Sequence, residues 1–336
     1  MIKARRSFLT GTFLILLLSL FTIIGVSAQS PKMMYGDTSR LGVPFSKDPE
    51  VVHFKGHYLM YYSIPPKKGD VASGWNIGIA ESKNLIDWQK AGEITPAAEY
   101  EKNGLCAPGA LVRDGKVHLF YQTYGGGRTD AICHAVSTDG IHFQRDLTNP
   151  IFHPSGDWTC GRAIDAEVCE FKGRYLMYFA TRDKDFKIQM QGVATAPLST
   201  DFSRKDWTQA CDSSILRPEY PWEGQCIEGA SIAKKGNKLY MFYAGAYNNA
   251  PQQIGVAVSN DGIHWKRLSK EPFLRNGKPG EWNASESGHP HLFTDNNGRT
   301  YLFYQGNKDN GKTWYISNIE VFWKNGRPYM KGKGKY

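Results

Sequence analysis

Long apolar runs are scarce in this sequence. After residue 28 no stretch is apolar enough to span a bilayer, so stable membrane insertion of a mature chain is not expected. C-x-x-C pairs are absent although six cysteines are present, at Cys106, Cys133, Cys160, Cys169, Cys211 and Cys226. That removes the usual zinc and dithiol motifs. Basic blocks are missing too, apart from the short tail Lys331-Gly-Lys333-Gly-Lys335. The formal charge of +9 is otherwise scattered, which argues against nucleic acid as a partner. Helical periodicity is rare, and without it a helical bundle or doubly wound fold is excluded.

What is present begins at the N-terminus. Lys3, Arg5 and Arg6 precede an uncharged, mostly apolar run from Ser7 to Val26, and Val26-Ser27-Ala28 stands before Gln29. This order is expected for a secretory signal peptide (residues 1–28) cleaved after Ala28, rather than for an uncleaved anchor. The expected location is periplasmic or extracellular. Disulfides are permitted there, but a domain of this size does not need them, and free buried thiols are compatible with it.

The rest of the chain alternates short strands with Gly, Asn, Asp and Pro punctuation, the pattern of an all-β protein. Five hairpins align by their turn glycines. They are DPEVVHFKGHYLMYYS from Asp48, APGALVRDGKVHLFYQ from Ala107, DAEVCEFKGRYLMYFA from Asp165, EGASIAKKGNKLYMFYA from Glu228 and HPHLFTDNNGRTYLFYQ from His289, spaced by 58 to 63 residues. A third strand follows in each copy, as in Ile77-Gly-Ile-Ala80 and Ile254-Gly-Val-Ala257. A turn and an aromatic come next, as in Asp139-Gly-Ile-His-Phe143 and Asp261-Gly-Ile-His-Trp265. Five repeats of about four strands predict a single five-bladed β-propeller over residues 29–336. Met33 to Phe45, or Ile319 to Tyr329, is expected to supply the strand that closes the ring.

In a propeller the innermost strands line the axis, so equivalent positions converge. The first positions of the five repeats are Asp48, Ala107, Asp165, Glu228 and His289. Three carboxylates and an imidazole are not what a core requires. A lone Asp before Pro is usually a turn residue; three acids in register suggest a hydrogen-bonded network, a cation site or acid–base chemistry. Glycoside hydrolysis needs one protonated and one ionised carboxyl, and a third acid can hold the donor protonated by like-charge repulsion.

On these motifs the chain resembles glycoside hydrolase family 43 and the related five-bladed propeller glycosidases. Lys47-Asp48-Pro49 is similar to the motif of the general base, Ile164-Asp165-Ala166 to that of the Asp that modulates the acid's pKa, and Ile227-Glu228-Gly229 to that of the general acid. Gly288-His289 resembles the motif of an axial His found beside a bound cation, and Cys106-Ala107-Pro108 resembles Trp-Ala-Pro-Asp. The departures are Ala230 for Pro, Gly109 for Asp, Cys106 for Trp and Gln305 where Tyr-His is common. The resemblance implies an inverting, exo-acting hydrolase of the α-L-arabinofuranosidase or β-xylosidase kind. Asp48 would be the base, Glu228 the acid and Asp165 the modulator. It requires no cofactor, with a structural Ca²⁺ near His289 as an option.

Tyr100, Trp158, Trp222 and Trp282 each precede a ring position by six or seven residues and are expected to offer faces to a sugar; packing between blades is the alternative. Arg162 is expected to bind a hydroxyl or carboxylate of the substrate, or to form a salt bridge. Three rivals stay open. One is a related hydrolase of galactofuranoside, galactan or anhydrogalactose, and one a non-catalytic glycan-binding propeller. The third is a mannoside-type phosphorylase, which needs a basic cluster beside the acid that the sequence alone does not assemble.

Overall fold

The computed structural model describes Met1 and residues 31–331. The expected signal peptide lies outside the described residues. Each repeat forms one antiparallel sheet in which every strand pairs with the next in sequence. Blade one is Lys47–Phe54, His57–Ile64, Asn76–Ser82 and Gln89–Ile94. Blade two is Leu105–Arg113, Lys116–Thr123, Ile132–Ser137 and Gln144–Arg145. Blade three is Ile164–Phe171, Arg174–Arg182, Gln189–Pro197 and Thr208–Gln209, and blade four is Ile227–Lys235, Lys238–Gly245, Gln253–Ser259 and Lys266–Arg267.

Blade five closes the ring with both expected segments. Glu286–Thr294, Thr300–Asn307 and Tyr315–Lys324 come from the end of the chain, and Met34–Tyr35 from its other end adds the outer strand. Met34 pairs with Ser317 and Tyr35 with Ile316, while Arg327–Tyr329 folds back on Tyr315–Lys324.

The core lies between blades. Val52 and Tyr61 of blade one pack with Leu119 and Ala135 of blade two, and Tyr178 of blade three packs with Met241 and Tyr243 of blade four. Apolar side chains alternate with axial ones along the inner strands, as the two-residue period of a strand demands.

Each inner strand carries a bulge near its start, where the pairing register shifts. The residue at the bulge has positive φ in every blade: Asp48 (52°), Ala107 (46°), Asp165 (54°), Gly229 (56°) and His289 (45°). This corrects the alignment by turn glycines. In blade four the ring position is Gly229, and Glu228 sits one residue earlier, level with Lys47, Cys106, Ile164 and Gly288. The cause lies at the far end of the hairpin. Blades one to three turn through two positive-φ residues with Gly in the latter place, as in Lys55-Gly56, whereas in blade four Gly236 is the first turn residue. A turn with Gly first has the other primed geometry, so the same glycine marks a register one residue different.

Two residues beyond the bulge, a belt of contacts joins each blade to the next. Glu50 Oε1 accepts from Ala110 N (3.0 Å), Glu167 Oε1 from Ile232 N (2.9 Å) and Ser231 Oγ from Leu292 N (2.8 Å). His291 Nε2 lies 3.0 Å from Val51 O, and as a donor there it joins blade five to blade one. Blade two makes its joint by close approach: a Cβ at Gly109 would lie 2.0 Å from Ala166 O. Glycine at this departure from the family pattern is therefore a packing requirement.

Candidate active site

Because inner strands start and their hairpin partners end at the same face, the bulge residues and the ends of those partner strands meet there around one cavity of about 170 Å³. Asp48, Asp165, Glu228, His289 and Arg162 all line it. A larger open depression of about 450 Å³ beside Pro150, Phe152 and Trp207 contains no carboxylate.

Glutamines fix the acids. Asp48 N donates to Gln305 Oε1 (3.0 Å) and Asp165 N to Gln122 Oε1 (2.9 Å), each glutamine reaching from the preceding blade around the ring. Gln305, standing where the family pattern has His, thus holds the start of the Asp48 strand through its amide. Glu228 accepts from Gln252 Nε2 (2.7 Å) and from Gln189 Nε2. His289 Nε2 stands between Asp48 Oδ1 (3.6 Å) and Asp165 Oδ1 (3.5 Å). Asp165 Oδ2 is buried without a hydrogen-bonding partner among the described residues.

These surroundings separate the acids. Burial works to raise the Asp48 carboxyl, but the charges of His289 and Lys47 outweigh it and hold Asp48 below the ordinary range. Glu228 is pushed up, first by burial and then by the charge of Asp165, against the opposing pull of His289 and the Gln252 hydrogen bond. Burial disfavours the His289 imidazolium, yet Asp48, Asp165 and Glu228 together raise it to about 9. One carboxyl driven up and another driven down in one cavity is what acid–base chemistry requires.

Four sequence expectations are corrected. Tyr100, Trp158, Trp222 and Trp282 do not line the cavity; they pack on the blades. A Cβ at Gly192 would lie 2.8 Å from Trp158, one at Gly245 2.4 Å from Trp222, and one at Gly306 2.6 Å from Trp282. Glycine leaves flat backbone on which an indole lies. Tyr100 packs with the blade-one and blade-two core, and its hydroxyl meets Asn149 Nδ2 at 3.2 Å. The aromatic residues that do line the cavity are Trp75, Tyr124 and Tyr247, together with Lys47, Arg182 and Gln189. Tyr124 directly follows the Lys116–Thr123 strand, Tyr247 comes two residues after Lys238–Gly245, and Arg182 ends its own strand. An antiparallel hairpin returns to the face from which it left, so these positions were the sequence signal for the rim.

His289 Nε2 is engaged between the carboxylates of Asp48 and Asp165, and no step is assigned to a cation beside it. A deeper group of metal-ligand type, Glu50, Glu167 and His291, has its donor atoms within 4.8 Å of one another. Its charges are balanced within the belt: His291 Nδ1 pairs with Glu50 Oε2 at 2.6 Å. Burial, then the charge of Glu50, pushes Glu167 up to about 8. All six cysteines are free thiols.

Two buried acids away from the cavity are structural. Glu101 takes Tyr121 Oη and Arg145 Nε, and Glu223 takes Tyr243 Oη and Arg267 Nε, the same trio in blades two and four. The Asp139-Gly-Ile-His and Asp261-Gly-Ile-His motifs are also local. In each, the Asp Oδ1 accepts the backbone N–H of the Ile and His that follow, all at 2.8 Å.

The model of the glycosyl hydrolases family 43 matches residues 43–327. Among curated proteins, a β-1,2-mannobiose phosphorylase of Thermoanaerobacter sp. (strain X514) is 29% identical over 141 residues, 37% of this chain and 44% of that protein. A sucrose-6-phosphate hydrolase of Bacillus subtilis (strain 168) is 27% identical over 145 residues, 41% of this chain and 29% of that protein. These matches span less than half the length of either relative. Among solved structures, a thermostable family-43 glycoside hydrolase superposes with a TM-score of 0.67 at 21% identity, covering 89% of this chain and 96% of that one. An α-L-arabinofuranosidase from Lactobacillus brevis gives 0.65 at 17%, covering 86% and 94%.

Proposed function

The chain belongs to glycosyl hydrolase family 43, and from that premise we propose that it is an inverting glycoside hydrolase of exported carbohydrate metabolism. Glu228 donates a proton to the leaving oxygen, Asp48 takes one from the attacking water, and Asp165 keeps Glu228 protonated between turnovers. The observation that carries this reading is the opposite displacement of Asp48 and Glu228 within one axial cavity. A glycan-binding propeller would have no use for it.

The cavity size favours exo action. About 170 Å³ is on the scale of the ~150 Å³ that accommodates one benzene ring, so a single sugar ring is held at the axis. Trp75, Tyr124 and Tyr247 supply the apolar wall against which a sugar face stacks. The sugar class is α-L-arabinofuranoside or β-D-xyloside, and the residues Lys3 to Ala28 support export to the periplasm or beyond.

A panel of aryl furanosides and pyranosides identifies the sugar. NMR of the first product formed then reads the anomer: inversion is expected, and a product with retained configuration overturns the mechanism.

A further inference from the structure

Besides His289, three basic side chains, Lys47, Arg162 and Arg182, line the cavity of what is otherwise read as a neutral-sugar hydrolase. Arg162 is 8% exposed. Its Nε pairs with Asp130 Oδ2 at 3.3 Å and its Nη1 reaches Gln189 Oε1 at 3.4 Å, while Nη2 has no partner among the described residues. Arg182 Nε donates to Gln189 Oε1 at 3.0 Å, and both of its Nη groups are unpaired among the described residues. Its guanidinium is held by the rings of Phe186 at 4.4 Å and Tyr247 at 5.0 Å. Lys47 Nζ makes no hydrogen bond or ion pair among the described residues and lies over the rings of Trp314 (4.7 Å) and Trp75 (5.8 Å). Contacts to ring faces place a cation while leaving its N–H groups available.

Of Lys47, Arg162 and Arg182, only Arg162 makes an ion pair among the described residues, to Asp130, while the charges of Asp48, Glu286 and Glu228 act on Lys47 without a direct contact. A guanidinium with N–H groups unpaired on a cavity wall lacks part of its hydrogen bonding. Neutral hydroxyls recompense it weakly, whereas an oxyanion does so through short charge-assisted bonds. Gln189 joins the two halves of the pocket: its Oε1 accepts from both arginines and its Nε2 donates to Glu228.

We propose that Lys47, Arg162 and Arg182 form an oxyanion subsite on the wall of the catalytic cavity, filled either by free phosphate or by an acidic group carried on the sugar. The inference rests on the glycosidase reading above and narrows its substrate. It also supplies the basic cluster that the phosphorylase alternative lacked in sequence. Where phosphate is the occupant, a phosphate oxygen forms the bond to the anomeric carbon in place of water. The bond from that carbon to the leaving oxygen breaks, and the Glu228 proton passes to the leaving oxygen. The sugar then departs as a glycosyl phosphate.

Calorimetric titration of inorganic phosphate into Glu228→Gln protein tests the subsite without turnover. Binding is expected, weakened about tenfold or more by adding Arg182→Met, the effect of losing charged hydrogen bonds. Lys47→Met is the other cation variant, and circular dichroism checks that both fold. Wild-type assays then assign the occupant. Turnover that requires phosphate and releases a glycosyl phosphate identifies the free anion. Competitive inhibition by phosphate, with uronide- or sulfate-bearing glycosides preferred over neutral ones, places the anion on the sugar. Phosphate that does not bind, or binds equally well to both cation variants, overturns the subsite and leaves the hydrolase reading standing. Phosphate binding in a protein that cleaves no glycoside does the reverse.

Discussion

At the scale of single residues, the proposed mechanism depends on Glu228 being a better proton holder than Asp48. Replacing Glu228 by Gln removes the proton donor and is expected to lower kcat by about 10²–10⁴-fold. The loss should shrink sharply on aryl glycosides whose leaving group needs no protonation, and kinetics on a leaving-group series will read this. Equal loss across the series would remove Glu228 from the acid role. The pH profile carries a further expectation. The proposed mechanism requires Asp48 ionised and Glu228 protonated, so kcat/KM should rise through the lowered Asp48 pKa and fall through the raised Glu228 pKa. Asp165→Asn takes away a charge that raises Glu228, so the alkaline limb should move to lower pH. A limb that stays in place would leave Asp165 a positioning role only.

The elements explain what the sequence showed and what it concealed. Turn glycines at a steady period were enough to count five blades and to bring Asp48 and Asp165 to one axis. They misplaced blade four by one residue, because alignment by glycine alone does not distinguish a hairpin whose turn begins with Gly from one whose turn ends with it. The aromatic platforms were misread for a related reason. Trp158, Trp222 and Trp282 answer to glycines on neighbouring strands, a partnership that only the sheet reveals. Trp158→Leu is therefore expected to lower stability by about 2–4 kcal/mol, the scale of a lost large core side chain, while KM stays unchanged in steady-state assays. A KM that rises with no loss of stability would return Trp158 to the substrate. Gly109→Ala should cost about 1–3 kcal/mol, because the new methyl meets the carbonyl of Ala166. Urea titration measures it, and an unchanged midpoint would mean the inner strands are free to part.

For the whole molecule, the decisive fact is that the first strand of the fold belongs to the last blade. Met33 is buried in the blade-one and blade-five core, and Tyr35 Oη lies 2.8 Å from Tyr62 Oη. Deleting residues 31–37 should lower the melting midpoint by at least several degrees and broaden the transition, as circular dichroism will show. A sharp, unshifted melt would mean that the ring holds without this strand.

The belt around the axis has a consequence for how such a molecule can be rearranged. Glu50, a bare glycine at 109, Glu167, Ser231 and His291 make five joints with four different chemistries. The repeats share an outline but not an interchangeable edge. Moving the chain's endpoints to the Lys55-Gly56 turn would keep every neighbour beside its own neighbour. Exchanging two blades would set strangers side by side. The order of the repeats is thus written into the protein as firmly as their number.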